Sequence, residues 1–195
     1  VTQIASEAKH PERIIVGHPF NPAYLLPLIE ICGGQKTDPA VIEAAREFYK
    51  MYDKAPCVLH KEKNGFIANR LMHALWREEI ALVTEGVCSM ADADDAWTFG
   101  PGIRLAAVGP GMNYELGGGT LGIKGCGIKF GAMTNAVFAD ISDMKKVPDT
   151  WPDLSGEEII KEKAGMPDVI GHTNEEIAAF RDNLIVDVLK LHKRM

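Results

Sequence analysis

Apolar positions in the first sixty residues fall into short runs broken by turn residues and by one helical stripe, the alternation of an α/β segment. Arg13-Ile14-Ile15-Val16-Gly17 predicts a strand, Leu28-Ile29-Glu30-Ile31-Cys32 a second closed by Gly33-Gly34, and Pro56-Cys57-Val58-Leu59-His60 a third. Between the last two, Val41, Ala44, Ala45, Phe48 and Tyr52 recur at helical spacing behind Pro39, with Thr37 or Asp38 available as the cap. From about Asn64 the periodicity becomes helical. A long helix is expected from near Phe66 to Glu85, carrying Ile67, Leu71, Ala74, Leu75, Leu82 and Val83 and stopping at Gly86. Ser89-Met90-Ala91-Asp92 reads as a capping box, with Asp in the usual Glu or Gln place, for a short helix ahead of Gly100-Pro101-Gly102. Residues 109–131 hold many glycines and 147–174 several prolines, so both are expected to contain extended loops. A last helix follows Thr173 and Glu176, a second capping box, with Ile177, Phe180, Leu184, Val188 and Leu191 as its stripe.

The change of period places a boundary near Asn64, between an α/β piece at residues 1–63 and an all-helical domain at 64–195. Three short strands and one helix cannot cover both faces of a parallel sheet, so the α/β piece is expected to have a neighbour.

Composition narrows the functional classes. Apolar residues make up 46% and charged residues 25% of the 195, the balance of an ordinary folded chain. A net charge of −6 without a Lys/Arg block leaves no electrostatic footprint for nucleic acid. No apolar run is long enough to cross a bilayer, and Val1-Thr2-Gln3-Ile4-Ala5-Ser6 lacks the regions of a signal peptide, so no membrane partner is expected. Cys32, Cys57, Cys88 and Cys126 are dispersed, which points to reduced thiols in a cytoplasmic protein and to no metal site.

His18 ends the first predicted strand, in Gly17-His18-Pro19-Phe20-Asn21-Pro22, at a strand terminus of the kind where α/β sheets bind ligands. It is a candidate catalytic group, although a lone histidine is more often structural. Glu30 interrupts the run Leu25-Leu26-Pro27-Leu28-Ile29-Glu30-Ile31, where an uncompensated buried carboxylate is costly. It either partners an imidazole, fixing its tautomer as a general base requires, or faces solvent from an edge strand. Asn69 lies in an early turn of the long helix, where asparagine invites a hydrogen-bonding explanation. The run Gly117-Gly118-Gly119-Thr120-Leu121-Gly122 satisfies a dinucleotide-binding glycine pattern in form only, for no strand precedes it and no convincing helix follows.

Together, His18-Pro19-Phe20-Asn21-Pro22, Tyr24-Leu25-Leu26-Pro27-Leu28-Ile29-Glu30-Ile31 and Gly65-Phe66-Ile67-Ala68-Asn69-Arg70-Leu71 resemble, in this order, the 3-hydroxyacyl-CoA dehydrogenase family. Glu85-Gly86-Val87 through Asp94-Asp95-Ala96 to Gly100-Pro101-Gly102-Ile103-Arg104 and Gly109-Pro110 also follows the family's helical domain. The Pro-Phe and Leu-Leu-Pro-Leu forms look closer to the L-carnitine dehydrogenase and lambda-crystallin (L-gulonate 3-dehydrogenase) branches than to the fatty-acid enzyme.

The resemblance implies the remnant of a Rossmann-type sheet followed by an all-α, 6-phosphogluconate-dehydrogenase-like helical domain that binds substrate and forms a homodimer. It implies His18 as the general base, Glu30 orienting it, Asn69 contacting a 3-hydroxy acid or 3-hydroxyacyl-CoA, and Asn21 lying near the nicotinamide of NAD. The family's amino-terminal Rossmann domain would precede Val1, so this chain alone is expected not to turn over. A non-catalytic protein of lambda-crystallin type that keeps the fold for a structural or dimerisation role is the competing class.

Overall fold

The computed structural model describes residues 1–194. Three strands, β1 (Ile15–Pro19), β2 (Leu28–Gly33) and β3 (Ala55–Leu59), form one sheet in the order β1-β2-β3. β3 runs parallel to β2, but β1 runs antiparallel to it, so the sheet is mixed where the sequence suggested a parallel one. The connections decide this. The short link of residues 20–27 leaves no room for a crossover, whereas β2 and β3 are joined through the helix α1 (Pro39–Met51).

Local chemistry fixes these elements. Asp38 caps α1, its Oδ1 accepting from the Ala40 amide at 2.8 Å. Thr37, the other candidate cap, instead accepts from the Gly34 amide at 2.8 Å and donates to the Ile14 carbonyl at 2.6 Å, tying the turn after β2 to the approach to β1. A Cβ at Gly17 would lie 2.3 Å from the Tyr49 hydroxyl of α1, so glycine before His18 leaves room for that side chain over β1.

The rest is helical: α2 (Ala68–Thr84), α3 (Met90–Trp97), a π-helical turn (Thr98–Gly102), α4 (Ile103–Ala107), α5 (Pro110–Gly117), α6 (Gly122–Asp140), α7 (Trp151–Gly165) and α8 (Asn174–Leu191). Gly86 stops α2 with φ +72°, its amide bonding the Val83 carbonyl and the Val87 amide the Leu82 carbonyl, the paired bonds of a Schellman motif. The Ser89/Asp92 and Thr173/Glu176 capping boxes both form.

One expectation of extended loops is corrected, and the other holds only outside α7, at residues 147–150 and 166–173. Residues 109–131 are mostly helical because their glycines serve close packing: a Cβ at Gly118 would meet the Gly122 carbonyl oxygen at 1.5 Å, and one at Gly125 the Gly118 oxygen at 2.5 Å. A helix, α6, therefore does follow the Gly117–Gly122 run, but α5 stands where a dinucleotide motif needs a strand. Within 147–174, Pro152 sits in the first turn of α7, where its missing N–H costs nothing.

The chain packs as two compact units, one of residues 1–74 with the run from Ala178 onward, the other Leu75–Ile177. Ile29, Ile31, Cys32 and Leu59 of the sheet are buried in the first, and Ile80, Val83, Met90 and Trp151 form the core cluster of the second.

The glycines of α6 separate two physical roles. Gly125→Ala should destabilise the chain by about 1–3 kcal/mol through overpacking. Gly127→Ala, where the new methyl meets nothing within 4 Å, should stabilise it by roughly 0.5–1 kcal/mol through helix propensity. Thermal denaturation of the two variants with equal effects would refute this account of α5–α6 packing.

Candidate active site

His18 and Glu30 are direct partners in the antiparallel β1–β2 ladder, and residues so paired present side chains on the same face. The ladder thus delivers the imidazole to the carboxylate, His18 Nδ1 lying 3.2 Å from Glu30 Oε2. β2 is the central strand and Glu30 is 0% exposed, which rules out the solvent-facing alternative.

A fully buried carboxylate needs donors on both oxygens. Glu30 Oε1 accepts from the backbone amides of Ile67 at 2.7 Å and Ala68 at 2.9 Å, at the start of α2. Those amides are among the donors a helix leaves unsatisfied at its N-terminus, where the macrodipole also favours negative charge. With Oε1 so engaged, Oε2 remains for the Nδ1 proton of the imidazole, which leaves Nε2 as the basic nitrogen. The His18 side chain keeps 32% exposure, so that nitrogen is within reach of a ligand.

A sharp turn sets this geometry. Gly65 and Phe66 are both left-handed, with φ +78° and +49°. Glycine does this freely, whereas for an aromatic residue it costs on the order of 1–2 kcal/mol. The turn directs the next two amides at Glu30 and lays the Phe66 ring on His18, with centroids 4.9 Å apart and planes 14° from parallel. The long helix accordingly begins at Ala68 and not near Phe66 as its periodicity suggested. Sequence reasoning missed Phe66 and these amides, although Gly65 directly before an apolar helical run was the available signal.

Of the other expected residues, Asn69 follows the two amides in the first turn of α2 and is half-buried, while its carbonyl engages His73 Nδ1 at 2.7 Å. Asn21 is exposed in the link after β1. The same link is tied to α8 by the Tyr24 hydroxyl, which donates to Asp182 Oδ2 at 2.6 Å, and Arg181 holds the other carboxylate oxygen. Beside Phe66 lies an open cavity of about 380 Å³ whose wall includes Lys61, Lys63 and Arg70.

Residues 1–63 match the family model described as 3-hydroxyacyl-CoA dehydrogenase, NAD binding domain, and residues 65–149 that of the 3-hydroxyacyl-CoA dehydrogenase C-terminal domain. The chain belongs to the 3-hydroxyacyl-CoA dehydrogenase family. Among the relatives of this chain, the L-carnitine dehydrogenase of Pseudomonas syringae pv. syringae is 37% identical over 196 residues, covering 98% of this chain and 58% of the relative. That of Pseudomonas putida is 38% identical over 200 residues, with the same coverage. The chain therefore spans less than three-fifths of the length of these relatives. The crystal structure of an NAD+-dependent 5-formyl-3-hydroxy-2-methylpyridine 4-carboxylic acid 5-dehydrogenase shares the fold, at TM-score 0.76 and 24% identity over 98% of this chain and 59% of that one.

A second polar cluster of the chain lies away from His18 in sequence, within the Leu75–Ile177 unit. Glu162 of α7 has a buried Oε2 without a hydrogen-bond partner. Burial, then Asp94, Glu79 and Asp95, push its carboxyl up to about 7, and a hydrogen bond with Asp94 needs one proton between the two. Because the folded state holds this proton above the ordinary value of 4.5, the stability it contributes is fully present below about pH 4.5 and lost as pH rises through 7. After allowance for solvent screening the effect should be about 1–2 kcal/mol. Denaturant titrations between pH 4.5 and 8 should show the decline in the wild type and a flatter profile in Glu162→Gln; parallel profiles would contradict it.

Proposed function

We propose that this chain is the carboxyl-terminal part of an oxidoreductase that oxidises a small 3-hydroxy acid with NAD. The observation that carries the reading is the buried Glu30 carboxylate, held by two helix amides and aimed at His18 Nδ1. In this reading His18 Nε2 takes the proton of the 3-hydroxyl group. Glu30 keeps the imidazole in the productive tautomer and stabilises the imidazolium as it forms. When bound, NAD accepts the hydride that leaves C3. Residues 1–63 act as the last part of the NAD-binding domain and 64–195 as the substrate-binding and dimerisation domain.

The donor set of this chain fits only part of a dinucleotide. No G-x-G-x-x-G turn for the pyrophosphate joins a strand to a helix among the described residues, so the residues present bear on the nicotinamide end, where Asn21 would lie. Asn69 would contact the substrate. The names of the relatives favour a small substrate over an acyl-CoA. No helix among the described residues is long and apolar enough to cross a membrane, and the four cysteines are free thiols, which suits a cytoplasmic enzyme.

Exposed apolar surface supports the homodimer. Met112 and Leu116 of α5 and Ile123, Ile128, Val137 and Phe138 of α6 are all more than half or about half exposed. Sedimentation should find a dimer at micromolar concentration; a strict monomer there would remove this part of the proposal.

Joining the chain behind the amino-terminal domain of the Pseudomonas syringae relative and assaying L-carnitine with NAD tests the function directly. Glu30→Gln should lower kcat roughly 100-fold or more while KM changes little. His18→Ala should be at least as damaging, and the double variant little worse than His18→Ala, because the carboxylate then has no ring to orient. Near-normal turnover in Glu30→Gln, or independent multiplicative losses, would sink the pairing, and a folded chimera inert towards 3-hydroxy acids would favour a structural protein.

A further inference from the structure

We propose that Phe66 is a positioning residue for His18, a role that rests on reading His18 as the general base. Phe66 is the one bulky residue of the turn at 64–67 that adopts a left-handed backbone, a conformation a bulky side chain resists and that persists only where its surroundings enforce it. What the conformation achieves is visible on both sides of the residue. Behind it, the Ile67 and Ala68 amides reach Glu30 Oε1. In front, the ring lies nearly parallel to the imidazole at 4.9 Å.

One hydrogen bond from Nδ1 to Glu30 fixes a single atom of the imidazole and leaves the ring free to rock about that contact. A flat aromatic surface against one ring face removes the rocking, keeps water from that face, and leaves the direction of Nε2 defined. The stack also strengthens when the base is used, because the imidazolium formed by proton uptake is a cation over an aromatic face. Glu30 therefore holds the tautomer and stabilises the charge, while Phe66 keeps the ring in the orientation in which the Nδ1 bond to Glu30 forms, so that loss of the aromatic face loosens that bond.

The test uses residues that separate ring from backbone. Asparagine tolerates the left-handed turn but has no ring, leucine keeps apolar bulk without a flat face, and tyrosine keeps the face. Nitrogen-15 spectra of the histidine-labelled chain, at a pH where imidazoles are neutral, report the His18 tautomer, and thermal unfolding reports stability. We expect one dominant tautomer in the wild type and in Phe66→Tyr. In Phe66→Asn and Phe66→Leu the two ring-nitrogen shifts should move towards each other as tautomers mix, while the Phe66→Asn melting temperature stays at or above the leucine variant's. An unchanged His18 spectrum in both ringless variants overturns the proposal, whatever happens to stability, and should Phe66→Asn fail to fold the leucine and tyrosine pair decides alone. In the joined enzyme the same loss of order should lower kcat roughly tenfold to 100-fold at little cost in KM. A tautomer shift in the spectra together with an undiminished His18→Ala enzyme would leave the ordering of the ring by Phe66 standing and reject the general-base reading on which its catalytic role rests.

Discussion

The carboxylate of Glu30 is the constraint around which the first unit is organised. A charge with no exposure in the middle of a sheet is tolerated only if its oxygens are satisfied, and breaking such a site costs several kcal/mol. Its donors come from two places far apart in sequence, the imidazole across the β1–β2 ladder and two amides at the start of α2. Satisfying it therefore fixes the register of β1, the approach of α2 to β2, and the turn between β3 and α2. The interaction that orients His18 is also the one that closes the fold around it.

How much of this was legible depends on whether the signal was local. Glu30 stood out because a carboxylate within an apolar run demands a partner, and His18 because it ends a strand before a proline-stiffened link. Which of the open alternatives held for Glu30 depended on strand order, since only a central strand buries it, and no single strand's composition encodes its place in a sheet. The antiparallel direction of β1 was closer to hand: residues 20–27 are too few for a crossover, a constraint of chain length and not of residue type. Phe66 was hidden for the opposite reason. Its apolar side chain continues the helical stripe, so periodicity absorbs it, and its left-handed backbone shows only in the coordinates.

The glycine-rich middle of the chain misled for a related reason. Glycine reads as a loop signal because it weakens helices, by about 1 kcal/mol against alanine. Gly118 closes α5 and Gly122 and Gly125 lie in the first turn of α6, so their four- and three-residue spacing brings them to the junction of the two helices, where Cβ atoms at Gly118 and Gly125 would meet backbone oxygens. The propensity lost by each glycine is offset by packing that any Cβ would prevent. Composition alone cannot separate these two uses; spacing can.

All donors to Glu30, and the ring stacked on its partner, belong to residues 1–74, so the hydrogen-bonded pair is complete within one compact unit. That arrangement suits a base that must act at a defined point in a reaction. If the imidazole were ordered only by the arriving substrate, part of the binding free energy would be consumed in fixing it, and the rate would fall for the same affinity. Here the ordering is accomplished when the chain folds, its cost carried by the hydrogen bonds and packing that hold the sheet to α2. A strained turn at Phe66 is consistent with this division: folding stability is given up at one residue so that the direction of one nitrogen is settled before any ligand arrives.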